Sequence, residues 1–389
     1  MNYDNVAAPN IIIRHVRAVT PDEVIPDAAV VVENGILREI TTRRIFPAGF
    51  AEIDGRGRLL MPGFIDIHSD VIENAIQPRP GGRFPVDVAL QELDKQLVAC
   101  GVTSIYHCLC FLHSDESPPF RSKEMTDFLI HQIHELKGGF SARTHIHARY
   151  EITNDEAFSQ VESLISRRLI QFFSIMDHTP GQGQFSDVSH FRTYYSKARG
   201  LTQEHVDTII ERRLDASRRI DWAGLEQLAQ TCRGNSIRMA SHDDDSAEKV
   251  AAVSRLGVTL SEFPVNLEAA RAARRHGMLI SLGSPNVLRG ALLTGSLSGR
   301  EALTAGLGDI LYSDFAPCRY CTPPSSCTAR GSRTCPRSNP SERPPPPCDP
   351  APSPTAKRRH HLAVQPDKEN IHPQRVHVNA TSPISTCKR

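Results

Sequence analysis

Between residues 10 and 60 short apolar runs are separated by polar turns. Asn10–Val16, Ala29–Val32 and Ile36–Ile40 have the length and β-branched content of strands, and Asn34-Gly35 is the dipeptide favoured in two-residue hairpin turns. A small β-sheet is predicted there. After Arg58-Leu59-Leu60-Met61-Pro62-Gly63 the pattern changes, and short apolar runs alternate with amphipathic stretches. Strands are predicted at Phe64–Ile67, Ser104–Leu109, His145–Ile152, Phe172–Met176, Arg238–Ser241, Thr259–Phe263, Met278–Leu282 and Asp309–Tyr312. Helices are predicted between them at Val86–Ala99, Lys123–Leu136, Ala223–Cys232 and Ala247–Leu256. Eight strand-helix units over about 250 residues predict an α/β fold, a (β/α)8 TIM barrel.

Composition divides the chain a second time. Of its 28 prolines and 10 cysteines, 15 and six fall in residues 317–389, where Tyr320 is the one aromatic residue. That segment carries 12 Lys and Arg against 4 Asp and Glu, a net +8, which leaves 33 against 40, a net −7, for residues 1–316. A tail so poor in large apolar groups cannot offset its ordering entropy by burial, so it is expected to be disordered. Three regions are therefore expected: a β-sheet domain at 1–60, a barrel at 61–316 and a tail at 317–389. No apolar run approaches the roughly 18 residues of a membrane span. The start, Met1-Asn2-Tyr3-Asp4-Asn5, lacks the basic-then-apolar pattern of a secretory signal. A cytoplasmic protein is expected.

In a barrel of this kind the chemistry sits where strands end. Collected there are His68 and Asp70, Glu151, Asp177 and His178, His242 and Asp243, and Asp314. All are metal-ligand types. Residues two apart on a strand share a face, so His68-x-Asp70 can present a nitrogen and an oxygen to one divalent ion. Glu151 could bridge to a second ion held by His178 and His242, and Asp314 could take a proton from the attacking water. Other readings compete. Asp177 and the run Asp243-Asp244-Asp245 could cap helices, and His145-x-His147 is a rival ligand pair that parity with Glu151 would point into the barrel below the site. His107, Cys108 and Cys110 fit packing at the second strand, and His131 and His134 a solvated helix face.

Leu60-Met61-Pro62-Gly63-Phe64-Ile65-Asp66-Ile67-His68-Ser69-Asp70 resembles the first-strand signature of the amidohydrolase superfamily, with Asp in place of the commoner second His. Ser174-Ile175-Met176-Asp177-His178-Thr179-Pro180-Gly181-Gln182, Ala240-Ser241-His242-Asp243-Asp244, Glu262-Phe263-Pro264 and Gly283-Ser284-Pro285-Asn286-Val287-Leu288-Arg289-Gly290 narrow this further. They resemble the phosphonate-degradation diphosphatases of the carbon-phosphorus lyase pathway, in that family's order. The resemblance implies divalent metal ions, two in number and of the zinc or manganese class, on His68, Asp70, Glu151, His178 and His242, with Asp314 as general base. It implies hydrolysis of α-D-ribose 1-methylphosphonate 5-triphosphate to its 5-phosphate with release of pyrophosphate. Hydrolysis of a cyclic amide or an amine on the same metal site is the alternative. The partner is then a small anionic phosphorylated substrate rather than a nucleic acid or a membrane, and a homo-oligomer is compatible. Arg149, Lys197, Arg289 and Asn286 are the candidate substrate contacts, with Arg79 and Arg271 further off. A GxxxxGK[ST] loop is absent, so phosphate must be met by metals and basic side chains. After Gly290 the family's Gly-Ser-His-Ser-Gly-like loop is replaced by Ala291-Leu292-Leu293-Thr294-Gly295.

The resemblance ends at Pro317. Reading the codons one nucleotide earlier from there admits Leu-Pro-Leu-Leu-His-Ala-Ala-Phe-Val-Leu-His, an amphipathic helix of the kind the family has. A frameshift or sequencing error near codon 317 is therefore expected, which would leave the barrel incomplete and an inactive product as a third reading. Cys318, Cys321, Cys327 and Cys335 fit no common zinc spacing. The Pro344–Pro347 run and the basic Lys357–His361 stretch are read as by-products of the shifted frame.

Overall fold

The computed structural model describes residues 10–46, 48–79, 81–113, 119–198, 200–290 and 297–317. Except for Pro317, the expected tail lies outside the described residues. The described chain forms two compact units that part between Gly63 and Phe64.

The first unit is a five-stranded sheet of β1 (Ile11–Val19), β2 (Val24–Glu33), β3 (Ile36–Thr41), β4 (Ala51–Asp54) and β5 (Leu59–Leu60). Its order is β3-β2-β1-β4, with β5 also on β1. Asn34 and Gly35 both have positive φ, 52° and 74°, as the expected hairpin turn requires. Alternation gives the sheet two apolar faces. Ile11, Val16, Val30 and Val32 pack on one, and Ile12, Ala29 and Val31 with Phe46 and Phe50 on the other. The pattern missed β4 and β5, because Ala-Glu-Ile-Asp is exposed along its length and Leu59–Leu60 is only two residues long.

The second unit is an eight-stranded parallel sheet running in chain order through β6 (Phe64–Ser69), β7 (Val102–Phe111), β8 (Arg143–Glu151), β9 (Phe172–Met176), β10 (Arg238–His242), β11 (Leu260–Glu262), β12 (Leu279–Gly283) and β13 (Ile310–Tyr312). It closes on itself. Ser69 bridges Asp314 in parallel, the Asp70 N–H donates to the Asp314 carbonyl at 2.6 Å, and the Asp314 N–H donates to the His68 carbonyl at 3.2 Å. All eight predicted barrel strands are found; Phe172–Met176 has the predicted ends, and the other seven have ends moved by one or two residues.

The helices Val86–Ala99 and Lys123–Leu136 span the predicted residues. Ser122, Ser246 and Asn266 cap their helices by accepting from the N–H three residues on. Period two sorts β8: Ile146, Ala148 and Tyr150 join the apolar layer under the helices, which turns His147, Arg149 and Glu151 to the other face. The chain between β9 and β10 adds a local element the pattern did not predict. It contains Val188–Thr193, a π-helical turn at Tyr194–Ala198 and Gln203–Ser217. Phe185, Phe191, Tyr195, Val206, Ile209 and Ile210 form its own apolar cluster. Among the described residues no helix is long and apolar enough to cross a membrane.

Candidate metal centre

The strand ends of the barrel bring the predicted ligands together. His68 lies one residue before the end of β6 and is buried, with its Nδ1 3.0 Å from Glu262 Oε1. His178 follows β9, and Glu151, buried at the end of β8, receives its backbone N–H at 3.1 Å on Oε1 and its Nδ1 at 2.8 Å on Oε2. Both imidazoles are thus held by a buried carboxylate at Nδ1, which leaves Nε2 for another partner. Glu151, expected to bridge two ions, directs both oxygens to His178.

Four groups of ligand-type atoms lie within 4.8 Å of one another among the described residues: His68–Cys108–His147, His68–His242–Glu262, His178–His242–Asp243 and His68–Asp70–Asp314. The third fits a divalent ion best. His178 Nε2, His242 Nδ1 and Asp243 Oδ2 are all buried and, among the described residues, have no hydrogen-bond partner outside this group. Asp243 Oδ2 lies 3.0 Å from His242 Nδ1 and 3.5 Å from His178 Nε2. Ligand atoms around a tetrahedral ion with bonds of about 2.1 Å are separated by similar distances. Two nitrogens and one oxygen also suit the zinc and manganese class.

The sequence offered Asp243 both as a ligand type and as a helix cap. Ser246 takes that role instead, Asp244 accepts from Ser241 and from Ser261 at 2.5 Å each, and Asp245 accepts from the Gly183 N–H at 2.6 Å. Asp243 is left for the site. Asp177 does serve a turn, accepting from Thr179 N and Oγ1 at 3.1 and 2.6 Å. Asp243, Phe263 and Asp314 have positive φ of 55°, 52° and 62°. Strained backbone held at the ends of three barrel strands is characteristic of functional sites.

Asp314 stands beside Asp70 and His68. Burial pushes its carboxyl up, the His68 charge opposes that and Asp70 adds to it, and the result is about 6. Burial would also raise Glu151, but the charge and hydrogen bonds of His178 hold it down at about 2. Glu262 stays well below the usual carboxylate range against its burial, chiefly through His68 and His147. His147 lies inside the barrel, as expected, and burial drives it down to about 3. His145, on the same face of β8, stacks on Tyr106, with ring centroids 4.6 Å apart.

The expected substrate contacts diverge. Arg149 is buried among the ligands, with Nη1 3.2 and 3.3 Å from the two Asp70 oxygens and Nη2 3.1 Å from His242 Nε2. Arg289 is exposed at the end of Ser284–Arg289, close enough to Asp314 to lower its pKa. Asn286 is buried and donates to the Leu297 carbonyl at 3.2 Å, while its Oδ1 has no partner among the described residues. The side chain of Lys197 lies outside the described residues, and Arg79 and Arg271 are exposed. Glu262 and Ser174, unassigned from sequence, complete the buried shell. Their signal was polar residues in otherwise apolar strands.

No family model matches the chain. Over 309 residues it is 33% identical to the α-D-ribose 1-methylphosphonate 5-triphosphate diphosphatase of Escherichia coli (strain K12), an alignment that covers 79% of this chain and 80% of that one. Among solved structures, a prolidase complexed with N-methylphosphonate-L-proline has a TM-score of 0.50 at 16% identity, with 80% of each chain covered. Molinate hydrolase has a TM-score of 0.50 at 13% identity, covering 84% of this chain and 76% of that one. These two likenesses concern the fold. The curated relative, at that identity and coverage, identifies the chain as a hydrolase belonging to the family of the α-D-ribose 1-methylphosphonate 5-triphosphate diphosphatases.

Proposed function

We propose that the protein hydrolyses the 5-triphosphate of α-D-ribose 1-methylphosphonate, releasing pyrophosphate and leaving the 5-phosphate. The observation that carries this reading is the identity to the curated diphosphatase across four fifths of that relative. The site chemistry supports it. A divalent ion held by His178, His242 and Asp243, with His68 and Asp70 available to a second, would supply positive charge that acidifies water and stabilises charge developing at phosphorus.

The chain's own groups do the rest. Asp314, with a carboxyl near 6, is ionised at neutral pH and accepts the proton of the water that attacks the α-phosphorus. As the new P–O bond forms, the bond to the bridging oxygen breaks and pyrophosphate departs with the electron pair. Arg149 and Arg289 offer guanidinium groups to an oligophosphate carrying about four negative charges. The substrate is a small anion, and the chain acts in the cytoplasm.

The test is a direct product measurement. Purified full-length protein with Mn²⁺ or Zn²⁺ should release pyrophosphate from a ribose 5-triphosphate and no ammonia or ring-opened product from cyclic amides. Ammonia without pyrophosphate would remove this reading.

A further inference from the structure

Below the ligand atoms runs a line of buried polar groups whose polar atoms approach one another inside the barrel. His147, on β8, has its Nε2 2.5 Å from Ser174 Oγ on β9. Ser174 donates its single hydroxyl hydrogen to Glu262 Oε2 on β11 at 2.6 Å, and the Ile67 carbonyl, which can only accept, lies 2.9 Å from His147 Nδ1 and takes that ring's proton. Glu262 Oε1 in turn meets His68 Nδ1 at 3.0 Å. His147, Ser174 and Glu262 are each 0% exposed and His68 1%. The four side chains come from strands β8, β9, β11 and β6, so the line crosses the barrel interior. Glu262 also faces His242 in one of the ligand-type groups. Each of its oxygens, however, already accepts a hydrogen bond.

We infer that Glu262 is a positioning residue for the metal centre: it receives the His68 Nδ1–H and fixes the ring, leaving Nε2 for the ion that His68 would hold beside Asp70 and Asp314, and is itself held by the Ser174 hydroxyl. The inference rests on the metal-dependent reading above. It assigns Glu262 no contact with the ion. Three features support it. A carboxylate on the far nitrogen of an imidazole sets both its tautomer and its orientation. Rotation of the His68 ring is also limited by Tyr312, stacked at 4.8 Å, and by Phe263, edge-on at 5.5 Å. Neither ring can replace the hydrogen-bond acceptor. Removal of Glu262 would therefore free the tautomer while leaving the apolar walls in place.

The experiment is calorimetric titration of the metal-free full-length protein with Zn²⁺, and cobalt substitution, for wild type, Glu262→Ala, Glu262→Gln and Ser174→Ala. Glu262→Ala is expected to weaken ion binding by about 10- to 100-fold. Glu262→Gln, which keeps an acceptor oxygen, should recover part of that loss, and Ser174→Ala should lose less than Glu262→Ala. At saturating Co²⁺ the visible absorption bands of every variant should match the wild type, because the ligand atoms are unchanged. Wild-type affinity in folded Glu262→Ala, checked by circular dichroism, overturns the inference. Altered cobalt bands at saturation overturn it as well, since Glu262 would then be a ligand. The pyrophosphate assay is read separately. Weakened ion binding without pyrophosphate release from wild type would leave the positioning role standing and remove the proposed substrate.

Discussion

Arg149 Nη2 lies 3.1 Å from His242 Nε2, and a guanidinium can only donate, so that nitrogen must carry the lone pair and Nδ1 the ring proton. A divalent ion at Nδ1 requires the opposite tautomer. Its Nε2–H would then face the Arg149 N–H, so Arg149 and an ion on Nδ1 compete for one imidazole. Arg149→Met should bind Zn²⁺ more tightly than wild type, by about tenfold or about 1.4 kcal/mol. It should lose turnover of the triphosphate, since a positive charge is removed from the phosphate site. Unchanged affinity in calorimetric titration would show that the two cations do not compete.

Asp243→Asn keeps the shape and tolerates the left-handed backbone, but removes the charge that the proposed site would offer an ion. Metal content after dialysis should fall below that of wild type while the fold, read by circular dichroism, persists. Retention of a full complement would place the ion elsewhere in the cluster.

Asp314→Asn removes the group expected to accept the proton. The kcat should drop by about 10²- to 10⁴-fold, the usual contribution of a general base. The acidic limb of the wild-type kcat/KM profile should titrate near 6, with activity lost as pH falls and Asp314 becomes protonated. Metal content measured in parallel separates this role from ligation, because loss of the ion together with the rate would make Asp314 a ligand.

Gly283 has an ordinary φ, and its constraint is space. A Cβ there would stand 2.9 Å from Phe263 Cε1 and 3.7 Å from Asp314 Oδ2. Phe263 packs against His68 and His242 at 5.5 and 5.3 Å between centroids, so displacement of its ring reaches the ligands. Gly283→Ala should cost about 1–3 kcal/mol in chemical denaturation, the usual cost of overpacking. A fully stable variant would mean that the ring has room to yield.

Burial lowers His107 and His145 to about 4 and His147 to about 3, against 6.5 when unfolded. The unfolded chain therefore binds more protons between those values, and stability falls as pH drops from about 6.5 toward 4. His145→Phe preserves stacking on Tyr106 while removing one of the three groups. Its denaturation midpoint should fall less between pH 7 and pH 5 than that of wild type, and identical slopes would exclude His145 as a source of acid sensitivity.

Period and turn chemistry made the barrel legible. Eight apolar strands and the Asn34-Gly35 hairpin are local signals, and local signals survive in a linear string. The ligand types His68, Asp70, His178 and His242 were visible because strand ends in such a barrel face one site. Partnership was not visible. Glu151 and Glu262 lie 111 residues apart in the chain, yet each holds an imidazole at Nδ1. The frameshift expected at Pro317 concerns residues outside the described ones, and resequencing codons 310–330 decides it.

The sequence by itself determined the strand order, the barrel class and the family, because these follow from periodicity and from motifs contiguous along the chain. Only the tertiary structure decided which buried acids hold a histidine at Nδ1. Ser246 takes the helix cap while Asp243 Oδ2 lies 3.0 Å from His242 Nδ1, and both Glu151 oxygens accept from His178. Such choices depend on hydrogen bonds between distant strands in a space from which water is excluded. A carboxylate buried there must be matched by a donor, and only the assembled barrel brings that donor within reach.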